Sequence, residues 1–167
     1  MYQAQRASRS EFVPVRNLNY HVRVWGDRSE AVTPLVLVHG WMDVAASWQF
    51  VVDALKTERW IIAPDWRGFG HTRLEGPAVD SYWFPDYMAD LDALLDHYVG
   101  ERKVDLVGHS MGGNIAMMYA GVRPQRIEHL VNLEGFGMPQ TRPAQAPGRY
   151  AQWMDEIKTV QRGGKAL

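Results

Sequence analysis

Residues 104–122 constrain this chain more than any other stretch. Val104-Asp105-Leu106-Val107 runs straight into Gly108-His109-Ser110-Met111-Gly112-Gly113, and a segment that is apolar on most faces, 111–122, follows at once. The order is strand, sharp turn, helix, with a serine at the tip of the turn and a glycine two residues to either side. A turn of this kind holds the serine at a strained backbone angle and projects its hydroxyl above the sheet, while Gly108 and Gly112 leave room for strand and helix to approach. The helix N-terminus that follows favours developing negative charge. G-x-S-x-G alone is a weak pattern; in the strand–turn–helix setting it predicts that Ser110 is a nucleophile. His109 is read as a loop neighbour of that serine and not as its base, because its side chain is expected to point away.

The rest of the chain alternates short β-branched runs with longer helical ones. Residues 12–15 and 20–25 read as strands joined by a turn at Asn17-Leu18-Asn19. Residues 35–38 are apolar at every position, as expected of a central strand covered on both faces. Further core strands are predicted at 60–63, ended by Pro64, at 104–107 and at 127–133. Helices are predicted at 44–56, with Asp43 as N-cap and Trp48, Val51, Val52 and Leu55 on one face, at 84–98 and at 111–122. Such alternation predicts the α/β class, a mostly parallel sheet flanked by helices. After Gly137 the composition changes. Residues 138–148 are rich in Pro, Gln and Ala and read as a linker, 150–160 can form an amphipathic helix, and 161–167 reads as a tail. The expected organisation is a core over 1–137 and a separate segment over 138–167.

Charge and composition narrow the function classes. With 18 basic and 19 acidic residues the net charge is −1, so no basic surplus points to nucleic acid or an anionic membrane. The chain has no cysteine, which excludes disulfides, thiolate catalysis and cysteine-based metal sites. No His-x-x-x-His pair or carboxylate cluster stands at ligand spacing, so neither a metal nor another cofactor is expected. Residues 1–11 are polar, carry Arg6 and Arg9 and lack the apolar run of a signal peptide. The longest apolar runs are too short to span a bilayer. The expectation is a cytoplasmic protein whose partner is a small molecule.

A serine that attacks a carbonyl needs donors for the oxyanion it creates. One is the backbone N–H of Met111, directly after the serine; the other is expected from the loop after strand 35–38, His39-Gly40-Trp41-Met42-Asp43, through the N–H of Trp41, whose indole would line a pocket. His39 reads as a structural histidine bracing that loop. Asp65 and Arg67, in Asp65-Trp66-Arg67-Gly68-Phe69-Gly70-His71-Thr72, read as charges tying loops together beneath the site, with His71 on the surface. Trp41, Phe136, Met138 and Trp153 suggest an apolar acyl pocket.

Together, His39-Gly40-Trp41, Asp65-Trp66-Arg67-Gly68-Phe69-Gly70 and Gly108-His109-Ser110-Met111-Gly112-Gly113 resemble the α/β-hydrolase superfamily, in the branch of serine hydrolase-like proteins, esterases and epoxide-hydrolase relatives. The resemblance covers about 12–137. It implies an α/β-hydrolase fold, incomplete here, with strands one to six, the elbow after the fifth, and the beginning of a cap domain over 138–167. Related epoxide hydrolases and haloalkane dehalogenases carry aspartate at the elbow; serine implies ester, thioester, lactone or similar acyl substrates. Carbon–carbon bond hydrolases also use serine, and a non-catalytic receptor or interaction protein on the same fold is the other alternative. The triad order is Ser, then Asp or Glu, then His. Glu134, after the strand 127–133, is a candidate acid; the family's other placement, after a seventh strand, lies outside this sequence. No histidine follows Glu134, and the last of the six, His129, falls at the start of the preceding strand. The expectation is a C-terminally truncated chain whose catalytic histidine lies beyond Leu167, nearly inactive by itself and with an exposed sheet edge at 127–133.

Overall fold

A computed structural model describes residues 2–75, 82–137 and 140–161. The chain divides into two units, Met1–Phe136 and Gly137–Leu167. In the first, the strands are β1 (Ser8–Val15), β2 (Leu18–Trp25), β3 (Leu35–Val38), β4 (Ile61–Pro64), β5 (Arg73–Leu74), β6 (Val104–His109) and β7 (Ile127–Leu133). Its helices are α1 (Gln49–Ala54), α2 (Phe84–Val99) and α3 (Met111–Val122). The second unit holds α4 (Ala146–Gln161), longer at its start than the predicted 150–160.

The sheet order is β1-β2-β4-β3-β6-β7, with β5 paired to β2 off this path. The pairs β1–β2 and β2–β4 are antiparallel, whereas β4–β3, β3–β6 and β6–β7 are parallel. The carboxyl ends of the parallel strands therefore gather four loops at one end of the sheet, where open α/β sheets place their sites.

Both faces of the sheet are covered, which explains the unbroken apolar run of β3. Val36 and Val38 join Val22, Ile62 and Leu106 in the larger core, closed by Leu91, Leu94 and Leu95 of α2 and Ile115 and Tyr119 of α3. Leu35 and Leu37 face the other way, into a smaller core with Trp25, Ile61, Trp48 and Val52.

Several expectations are corrected. β1 begins four residues before the predicted start at Phe12, and β4 includes Pro64. The predicted helix 44–56 is a 3₁₀ turn, Ala45–Trp48, followed by the short α1. The change from three to 3.6 residues per turn breaks the single apolar face; Trp48 and Val52 are buried, but Val51 is exposed and Leu55 lies past the helix end. Asp43 accepts hydrogen bonds from the Val44 N–H (2.8 Å) and the Ser47 hydroxyl, so it serves the turn and not α1. The two-residue β5 makes the strand before Ser110 the sixth in chain order, although it is fifth along the connected path. β7 ends the sheet order, with Leu130, Val131 and Leu133 exposed.

One buried charge cluster fastens the loop after β4 to α2. Arg67 donates from Nε and Nη2 to the two carboxylate oxygens of Asp90 (2.6 and 2.8 Å). Tyr20 donates to Asp90 (2.8 Å) and accepts from the Arg67 N–H (3.0 Å). Burial, reinforced by the Asp90 charge, holds the Tyr20 phenol protonated far above its usual range. Removing Asp90 takes the bidentate partner from a buried guanidinium and leaves it the longer contact to Asp86 (3.5 Å), at a cost of up to about 3–5 kcal/mol. Asp90→Ala is expected to lower unfolding stability by about that amount in urea denaturation; a loss below about 1 kcal/mol, the value of a surface pair, would show that the cluster is solvated in practice.

Candidate active site

Ser110 stands between β6 and α3 with φ 50° and ψ −115°, a conformation that non-glycine residues adopt only under constraint. Its N–H donates to the Leu133 carbonyl at the end of β7 (2.8 Å), and its carbonyl accepts the first bond of α3 from Asn114 (3.0 Å). The elbow is thus clamped from both sides. The flanking glycines allow it: a Cβ at Gly108 would overlap the Gly112 carbonyl, and one at Gly112 would overlap the carbonyls of Val38 and His39.

The loop after β3 lies against the elbow. A Cβ on Gly40 would meet the Ser110 Cβ at 3.2 Å and His109 Nδ1 at 3.0 Å. The Met111 N–H belongs to the first turn of α3, where the helix offers no acceptor. Among the described residues, neither this N–H nor that of Trp41 has a hydrogen-bond partner. The Trp41 indole packs edge-on against Phe69 (centroids 5.2 Å apart) and is 63% exposed. Phe136 is 87% exposed, Trp153 is exposed in the second unit, and Met138 lies outside the described residues.

His39 is fully buried and braces the same loop. Its Nδ1 donates to the Gly40 carbonyl (2.8 Å) and its Nε2 accepts the Trp66 N–H (2.9 Å). Burial lowers its pKa, which keeps this neutral bonding pattern. Asp65 ties loops together through the N–H groups of Ala45 and His71 (2.7 and 2.8 Å), while the His71 side chain is exposed.

Glu134 has φ 61° and an exposed side chain, and its carboxylate sits 3.8 Å from His109 Nε2. The turn that carries it is held by Asn132, whose side chain accepts the Gly135 N–H (2.8 Å) and donates to the Gly135 carbonyl (2.6 Å). Sequence reading missed both the role of Asn132 and the pairing of Glu134 with His109. The Asn-x-x-Gly spacing was the available signal for the first, since Asn side chains favour such local turns.

The six histidines are all occupied or remote. His21 bonds Asp65, His39 holds its loop, His71 is edge-on to His21, His97 packs on Tyr98, and His109 faces Glu134. His129 bonds Asp105 (2.8 Å) near the start of β6, at the opposite end of the strand from the elbow. Among the described residues no three His, Asp or Glu side chains converge as metal ligands, and no helix is long and apolar enough to cross a membrane.

The family model for the alpha/beta hydrolase fold matches residues 33–161, and the chain belongs to that family. A serine hydrolase-like protein of Danio rerio is 31% identical over 137 residues, 81% of this chain and 41% of its own. The 2-hydroxy-6-oxo-2,4-heptadienoate hydrolase of Pseudomonas putida is 37% identical over 111 residues, 65% of this chain and 39% of its own. Among solved structures, a laboratory-evolved variant of potato epoxide hydrolase superposes with a TM-score of 0.64 at 27% identity, covering 74% of this chain and 38% of its own. The chain therefore spans about two-fifths of the length of these relatives.

The backbone strain at Ser110 is open to measurement. Glycine at position 110 releases it, while alanine keeps it and removes only the hydroxyl. Ser110→Gly is expected to be more stable than Ser110→Ala by about 1 kcal/mol in urea denaturation; a less stable glycine variant would mean that the turn stores no strain.

Proposed function

We propose that this chain carries the nucleophile and oxyanion-binding part of a serine hydrolase acting on carboxylic esters or related acyl compounds. Ser110 attacks the acyl carbonyl, and the N–H groups of Met111 and Trp41 receive the oxyanion. The observation that carries the reading is the strained, clamped Ser110 beside two backbone N–H groups that have no partner among the described residues. Glu134 is proposed as the acid of the triad. The base is proposed to be a histidine outside these 167 residues, because among the described residues no histidine bonds the Ser110 hydroxyl, and His109 beside it faces Glu134 instead. Residues 138–167 are proposed to begin a cap domain, and Trp41 and Phe136 to contribute to the acyl pocket.

A second reading, hydrolysis of a carbon–carbon bond by the same serine, draws on the 37% identity to the heptadienoate hydrolase. Both readings require Ser110 as nucleophile and differ only in substrate.

Without a base, turnover of p-nitrophenyl butyrate by the purified chain is expected to fall about 10⁴-fold or more below that of complete triad esterases. A fluorophosphonate should still modify Ser110 slowly, and added imidazole should accelerate that modification in proportion to its concentration. The adduct is read by peptide mass spectrometry and should vanish in Ser110→Ala. Ordinary esterase rates from the chain alone, or no adduct on the Ser110 peptide at any imidazole concentration, would contradict the proposal.

A further inference from the structure

A second serine, far from the elbow in the sheet order, meets a histidine and a carboxylate in series. Asp65 follows β4 and is buried. It accepts the N–H groups of Ala45 and His71, and its Oδ2 lies 2.7 Å from Nδ1 of the buried His21. An ionised carboxylate only accepts, so Nδ1 carries the hydrogen of that bond and the Nε2 lone pair is left facing outward. There, at 2.9 Å, stands the hydroxyl of Ser10, an exposed residue of β1.

Strand register builds this constellation. In the β1–β2 pair Ser10 lies opposite Arg23 and Phe12 opposite His21, and directly opposed residues share one face of a sheet. The Asp65 N–H donates to the His21 carbonyl (2.9 Å), which brings the carboxylate alongside the ring. Phe12 and His71 hold the imidazole in place, with ring centroids 5.2 and 5.1 Å away. Nucleophile, base and orienting carboxylate within hydrogen-bond reach are the arrangement that activates a hydroxyl. Arg23 adds a cation on the same face. Its Nη1 donates to the Ser8 hydroxyl (2.9 Å), and its Nε is buried without a partner among the described residues. From β2 to β6 is three strand spacings, about 14 Å, so this group does not share the Ser110 site.

We propose that Ser10, His21 and Asp65 form a second nucleophilic site, which takes an acyl group from small activated esters. Ser10 Oγ bonds to the acyl carbon while its proton passes to His21 Nε2. The ester C–O bond then breaks, and the departing aryl or alkyl oxygen collects that proton, leaving acyl-Ser10 and a free alcohol. The open position of Ser10 on a strand suits small donors such as p-nitrophenyl acetate. A purely structural role, in which the three residues only pin β1, β2 and β4 together, requires the same bonds but confers no reactivity.

The absence of cysteine from the chain makes the test clean, since a single introduced thiol reports alone. Ser10→Cys and Ser8→Cys share a strand, a face and Arg23, and differ in the imidazole. Iodoacetamide at neutral pH is expected to alkylate Cys at position 10 at least about tenfold faster than at position 8, because a neighbouring imidazole raises the thiolate fraction. Adding His21→Gln to Ser10→Cys should bring the rate down to that of Ser8→Cys. In the unmodified chain, p-nitrophenyl acetate should acetylate Ser10 without added imidazole, and equally in Ser110→Ala. Equal alkylation rates at the two positions, or no acetyl group on Ser10, would overturn the proposal while leaving the Ser110 reading standing.

Discussion

The site depends first on how closely α3 lies against the sheet. Neither Gly108 nor Gly112 has room for a Cβ, because carbonyls of Gly112, Val38 and His39 occupy that space. With the helix that close, the chain must reverse within one residue, and Ser110 takes a positive φ. Parallel pairing of Val38 with Gly108 then sets the loop after β3 beside the same turn. One steric constraint thus brings together the serine, the Met111 N–H and the loop carrying Trp41. The strain is carried by the surrounding bonds, from Leu133 on one side and Asn114 on the other.

Beneath the loops, buried charge does structural work. Arg67 and Asp90 satisfy each other, with Tyr20 bridging them, and Asp65 gathers donors from three segments. Paired in this way they fix the ends of β4 and α2 without leaving an orphan charge in the core. This accounts for the charges in the stretch 65–72, which lies near the candidate site and packs the Phe69 ring on Trp41. It also accounts for Ser10: the carboxylate that holds the loops orients His21, and His21 in turn addresses an exposed hydroxyl.

Local signals carried much of the fold. Leu35–Val38 announces a strand covered on both faces because every position is apolar, and two separate cores do cover it. The elbow was legible because its chemistry is compressed into a few consecutive residues. The two-residue β5 was not, since Arg73 and Leu74 become a strand only by meeting Leu18 and Asn19. The 3₁₀ turn at Ala45–Trp48 hid behind an apolar pattern that a longer helix would also produce. The Ser10–His21–Asp65 series escaped for a similar reason, as His21 and Asp65 stand 44 residues apart and only strand register unites them. The sharp turn at Ser110 was readable from its glycine spacing, whereas the partner of Glu134 depended on a turn geometry that no single residue type dictates.

The central claim is that Ser110 attacks and that Met111 and Trp41 receive the resulting oxyanion. A crystal structure of the chain phosphonylated on Ser110 tests it most directly. The account predicts the phosphonyl oxygen at about 2.7–3.1 Å from both backbone nitrogens, the distance at which such donors stabilise a tetrahedral intermediate. A phosphonyl oxygen turned to solvent, with both N–H groups unengaged, would contradict it.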